Sequence, residues 1–97
     1  MIPGGLTEAK PATAEVQEIA DQVKAQLEEK TNEKYENFKA VEYKTQVVAG
    51  TNYFIKVDVG NDSFIHLKVF KDLSGEDHFE LTGYQTNKTK DDELTYF

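Results

Sequence analysis

Few side chains in this sequence have the type and spacing for chemistry, and the two histidines come first. His66 sits between Ile65 and Leu67 in an alternating run. It is therefore expected on a strand, half-exposed, on the face opposite its two neighbours. His78 follows Glu76 and Asp77, which gathers three ligand-type residues in one loop. Adjacent loop residues seldom converge on one ion, and no second histidine lies at helical or hairpin spacing, so no metal site is expected. The two serines, Ser63 and Ser74, fall in turn contexts, where a hydroxyl serves local hydrogen bonding. The carboxylate pairs Glu28-Glu29 and Asp91-Asp92 lie in polar surroundings that would not raise a pKa for acid catalysis. Gly4-Gly5 lacks the strand–helix context and partner glycines of a phosphate loop. With no cysteine there is neither a thiolate nucleophile nor a disulfide framework. The sequence thus predicts no catalytic residue, no cofactor and no enzyme.

Three other segments stand out because they are apolar where solvent is expected. Gln46-Val47-Val48-Ala49-Gly50 falls at a hairpin tip, a place normally built from Asn, Asp, Gly and Ser. Leu73-Ser74-Gly75 lies in a loop, and Ile2-Pro3-Gly4-Gly5-Leu6 in an arm without helical or strand period. In each, a glycine removes side-chain bulk and lets another backbone come close. The residues alone leave two readings open. Either the three segments form one edge that meets a partner, or Val47 and Val48 pack back onto the body and the arm has no role.

The elements that would position these segments are readable from periodicity. Thr13 is an N-cap candidate, with Glu15 in the first turn at the positive end of the helix dipole. Val16, Ile19, Ala20, Val23 and Leu27 then follow helical spacing, giving an amphipathic helix of about five turns that fades near Thr31-Asn32. Val41, Tyr43, Thr45 and Val47 alternate with polar residues, as do Tyr53, Ile55, Val57 and Val59, and then Ile65, Leu67 and Val69. A last short strand is expected around residues 79–84. Gly60-Asn61-Asp62-Ser63 is a polar turn. Short connections make these strands an antiparallel meander, and one long helix on one of its faces is an α+β design. In such a meander alternate hairpin tips share an end of the sheet, so residues 47–50 and 73–75 are expected as neighbours. Whether the arm joins them depends on the direction of the helix.

At 97 residues the chain is expected to be one domain, 1–97, with a flexible or extended arm over 1–12. All eleven basic residues are lysines, the net charge is −7 and arginine is absent. Nucleic-acid binding needs a concentrated basic face, so it is not expected. No stretch approaches the roughly 18 apolar residues of a membrane span, and the start has neither the basic nor the apolar region of a signal peptide. No membrane partner and a cytoplasmic location are therefore expected.

Residues 46–50 also match the QxVxG signature of the cystatins, inhibitors of papain-like cysteine proteases. The cysteine-free composition, the Ile2-Pro3-Gly4-Gly5 start, the helix ending in Gln26-Leu27-Glu28-Glu29-Lys30 and the Asp92-Glu93-Leu94-Thr95 tail resemble the stefins. These are the intracellular, single-domain type 1 cystatins, and the resemblance runs along essentially the whole chain. The start is similar to the cystatin A branch, while residues 52–57 and Leu94-Thr95-Tyr96-Phe97 lean towards the cystatin B branch. A natural stefin or a consensus or hybrid chain would both read this way.

The resemblance implies the cystatin fold and a three-part wedge in the protease cleft. Ile2, Pro3 and Gly4 would lie along the non-primed subsites, and Gln46, Val47, Val48, Ala49 and Gly50 would cover the catalytic cysteine and histidine. Leu73, Ser74 and Gly75 would touch the primed side. Stefins usually carry Leu-Pro in that second loop. Ser74 would loosen that loop in the unbound state and is expected to weaken the third contact modestly. Papain and cathepsins are the implied partners of an active monomer. A rigid tip, with Val48 in a strained turn, would also be a hinge for an inactive domain-swapped dimer. The alternative is a stefin-derived scaffold made for binding or stability rather than for inhibition.

Overall fold

A computed structural model describes residues 6–73 and 78–97. The expectations attached to Ile2, Pro3, Gly4, Ser74 and Gly75 lie outside the described residues. The elements are β1 (Lys10–Pro11), α1 (Ala14–Thr31), β2 (Lys39–Val48), β3 (Gly50–Asp58), β4 (Phe64–Lys71) and β5 (Phe79–Lys88). The five strands form one sheet in the order β1-β2-β3-β4-β5, and each neighbouring pair is antiparallel. One helix packs against that sheet, so the α+β, helix-on-meander architecture is the one observed.

The helix is the element that local sequence specifies best. Thr13 Oγ1 accepts the Val16 N–H at 3.2 Å, and Asn32 closes the far end in the left-handed conformation at φ 57°. Val16, Ile19, Ala20, Val23 and Leu27 are buried. They pack on Ile55, Val57, Ile65, Leu67, Val69, Phe79 and Leu81 of the sheet. Two glutamines flank this stripe and do something that periodicity does not show. Gln17 Nε2 donates to the Phe38 carbonyl at 3.0 Å while its Oε1 accepts the Ala40 N–H at 2.8 Å. Gln26 repeats this with the Phe79 carbonyl at 3.2 Å and the Leu81 N–H at 3.1 Å. Each side-chain amide stands in for the peptide unit of a missing neighbouring strand. Nine residues are about two and a half helical turns, so the two glutamines leave opposite sides of the helix and reach different strands, β2 and β5.

The sheet differs from expectation in three places. Residues 7–12 are extended but held in place. Thr7 N–H donates to the Thr45 carbonyl at 3.0 Å, Thr45 N–H to Thr7 Oγ1 at 3.0 Å, and Ala12 N–H to the Val41 carbonyl at 3.1 Å. With Lys10 opposite Tyr43 and Pro11 opposite Glu42, this stretch is a fifth, edge strand. Pro11 is tolerated there because an edge strand need not donate on both sides. A register shift between Ala40 and Glu42 separates Ala40 from Tyr43 by two residues, although both meet the helix-side core. Finally, β5 runs to Lys88, beyond the expected 79–84.

The largest correction concerns His66, which is 0% exposed rather than half-exposed. It does lie on the face opposite Ile65 and Leu67, but that face is covered. Residues 89–97 have no regular secondary structure and fold back over it. Lys44, Phe54, Lys68 and Gly83 form one row across β2–β5, and the tail lies along that row. Lys44 Nζ donates to the Leu94 carbonyl and to Glu93 Oε1 at 3.2 Å, and Lys68 Nζ to the Phe97 carbonyl at 2.9 Å. The Phe54 ring is 6.0 Å from Tyr96 and 5.6 Å from Phe97. Further along, Lys56 Nζ donates to the Lys90 carbonyl at 2.9 Å and pairs with Glu42 at 2.8 Å. Lysine stems thus cover apolar surface while their ammonium groups satisfy tail carbonyls. Neither ring nitrogen of His66 has a hydrogen-bond partner among the described residues. Burial, with Lys56 and Lys88 nearby, lowers its pKa from 6.5 to about 4, so the ring is neutral.

Candidate functional site

The tip of the β2–β3 hairpin is tighter than a four-residue turn. Gln46 lies opposite Asn52, Val47 opposite Thr51 and Val48 opposite Gly50, which leaves Ala49 alone at the apex. Val47 is 70% exposed, Val48 43%, and Ala49 is exposed as well. The valines therefore do not pack back onto the body, which decides one question that the sequence left open.

The glycine serves the chain's own packing. Gly50 is buried, with φ at +121°. A Cβ there would collide with the Lys71 carbonyl and come within 2.9 Å of the Phe70 ring. The backbone that comes close here is that of the neighbouring strand β4. The strained conformation expected at Val48 is at Gly50 instead, because Val48 is not among the residues with positive φ. Glycine adopts that region at little cost, so the tip is held without a strained side-chain residue.

The second loop begins beside this tip. Thr51 pairs with Lys71, and two residues further on Leu73 is 78% exposed. The arm arrives from the other side. Thr7 is bonded to Thr45 and the chain runs antiparallel to β2, so Leu6 lies one step nearer the tip. The direction of the arm, left open by the sequence, is set by this pairing. Val47, Val48 and Leu73 are three of the four large apolar residues left exposed among the described residues, and they share one end of the sheet. The fourth, Tyr96, belongs to the tail.

Sequence reasoning missed the residues behind the edge. Thr7 and Thr45 clasp the arm, Asn52 Nδ2 donates to Gln46 Oε1 at 2.9 Å, and Phe70 supports Gly50. Counting outward from a one-residue apex at Ala49 would have paired Gln46 with Asn52. An apex spread over residues 47–50 hid that pair. At the other end of the sheet a groove of about 680 Å³ is lined by residues that include Glu42, Lys56, Asp58 and Lys90. Three of these side chains are already engaged. Lys56 holds Glu42 and the Lys90 carbonyl, and Asp58 accepts the Gly60 N–H at 2.8 Å. His78 is exposed, and no group of residues suited to a metal ion occurs among the described residues. Among those residues, no helix is long and apolar enough to cross a membrane.

Comparison with known proteins gives the class to which this fold and edge belong. The cystatin domain model matches residues 4–91, and the chain belongs to the cystatin family, whose members are protease inhibitors rather than enzymes. Within that family it is a stefin, a type 1 cystatin. It is 84% identical to Cystatin-A of Mus musculus over the full length of both chains. It is 70% identical to Stefin-3 of Mus musculus over 97% of this chain and 91% of that one. With Cystatin-A of Homo sapiens it shares 67% identity over the full length of both.

Proposed function

We propose that this protein is a reversible, tight-binding, non-covalent inhibitor of papain-like cysteine proteases, papain and cathepsins among them. The observation that carries this reading is the exposure of Val47, Val48 and Leu73 together at one end of the sheet. A convex apolar edge suits insertion into a cleft and does not suit binding a small molecule. On this reading Ile2, Pro3 and Gly4 contact the non-primed subsites of the protease, and Ser74 and Gly75 act with Leu73 on the primed side. The whole chain acts as a single cystatin domain in the cytoplasm, without nucleic-acid or membrane partners.

Each valine taken out of water contributes roughly 1.5–3 kcal/mol. A nanomolar complex needs about −12 kcal/mol net, after an association cost of several kcal/mol or more. Three apolar side chains and an arm reach that only if the edge is already formed before binding. The monomer is accordingly the active form. A domain-swapped dimer that opens the β2–β3 hairpin destroys the tip and is inactive.

Stoichiometric titration of papain, done separately on monomer and dimer fractions from size exclusion, tests this reading. The monomer is expected to inhibit one-to-one and the dimer not at all. Deletion of residues 1–4, or Gly4→Arg, should weaken inhibition about 10-fold or more. A monomer that leaves papain fully active at micromolar concentration would end the proposal.

A further inference from the structure

Asn52 is an unusual residue for its place. It lies inside β3, where asparagine is disfavoured, and is 9% exposed. A buried amide is costly unless hydrogen-bonded. Its Nδ2 donates to Gln46 Oε1 at 2.9 Å, directly across the hairpin and one residue pair below Val47 and Thr51. Opposite this, on the β3 side of the apex, Gly50 is seated on Phe70 and the Lys71 carbonyl. Both legs of the hairpin are therefore pinned immediately beneath the exposed Val47, Val48 and Ala49.

We propose that Asn52 is a positioning residue for the inhibitory tip, and that Gln46 is the other half of this brace rather than a contact made with the protease. The inference rests on the inhibitor reading above. Asn52 is too buried to meet a partner, so it acts by keeping the binding-competent tip populated. A tip that is competent for only a fraction of the time binds more weakly by that fraction. The loss then falls on association, because the complex once formed has the same contacts. A contact residue such as Val48 shows the opposite pattern, with its effect on dissociation.

Stopped-flow kinetics of the full-length chain with papain separates the two patterns. Asn52→Leu is expected to slow association about 10-fold and leave dissociation unchanged. Val48→Ala is expected to speed dissociation about 10-fold with association unchanged. Asn52→Asp restores association to within about 2-fold, because the Gln46 amide can turn and donate to the carboxylate. Gln46→Leu, at a half-buried position that tolerates change, gives the same slowing should Asn52→Leu fold poorly. The double variant is expected to lose no more than either single one. Unchanged rates in both single variants, or faster dissociation in Asn52→Leu, would overturn the brace. Hydrogen exchange of amides 47–51 in the free chain reads the brace without any protease. It should quicken about 10-fold in Asn52→Leu, and an unchanged rate overturns the inference whatever papain does. An unaltered chain that fails to inhibit papain overturns only the inhibitor reading.

Discussion

The two faces of the sheet are buried by opposite means. The helix side is an apolar layer in which Ile55, Val57, Leu67 and Val69 meet a helix stripe of the same character. The other side carries Lys44, Lys56, Lys68 and His66, a set of residues that reads as solvent-facing, yet Lys44, Lys56 and His66 are buried there with Phe54. What covers them is a tail without secondary structure, held by ammonium-to-carbonyl hydrogen bonds. A regular element buries a face through complementary periodicity. An irregular one can do so only if the face supplies donors for its otherwise unpaired carbonyls. Lysine supplies the donor and also the apolar stem.

Removing the cover is the most severe way to break this comparison. Deleting residues 93–97 exposes Phe54, removes Leu94 and leaves Lys44 and Lys68 without their tail partners. A loss of about 3–5 kcal/mol is expected in urea unfolding, comparable to Leu27→Ala in the helix-side core. A loss below about 1 kcal/mol would mean that the tail is ornamental and the outer face tolerates water.

The pH response below neutrality sharpens the same contrast, because the described helix-side core is apolar apart from tyrosines packed against it, and burial raises the pKa of Tyr35 and Tyr53 above the ordinary tyrosine value. The folded-state pKa of His66, about 4, lies below the ordinary 6.5. Between these values the unfolded chain binds the additional proton. Stability should therefore fall as pH drops from about 6.5 to about 4, and then lose nothing more from this residue. The expected loss is on the order of 3 kcal/mol. Thermal melts of the unaltered chain and His66→Leu across that range check it. The variant should lose most of the slope, and an equal slope in both would place the titrating group elsewhere.

The smallest expected effect concerns the rims of the sheet. Gln17→Ala and Gln26→Ala each remove two hydrogen bonds to backbone groups of a strand, at about 1–2 kcal/mol apiece. Since β2 and β5 are separated by two strands, the losses should add in the double variant, measured by denaturant midpoints.

What could be read in the sequence tracks how local the cause is. The helix, its Thr13 cap, its end at Asn32 and its five buried residues all follow from spacing along one segment, and all are observed. The polar turn at Gly60 is likewise local, with positive φ at Gly60, Asn61 and Asp62. The exposed Val47, Val48 and Leu73 were legible as misplaced apolar residues, because a run of polar neighbours makes them conspicuous. The edge strand at Lys10–Pro11 was not legible, since two residues carry no period. Nor was the burial of His66, because a residue on an alternating strand looks solvent-facing until something distant in the chain covers it.

The sequence by itself determined the helix, the number and direction of the long strands, and the apolar character of the tip, since each depends on residues a few positions apart. Tertiary structure decided which face the tail would cover, where the arm would lie, and how the tip would be held. Those outcomes depend on contacts between Lys44 and Leu94, Thr7 and Thr45, and Gly50 and Phe70. Each joins segments whose proximity no local pattern encodes.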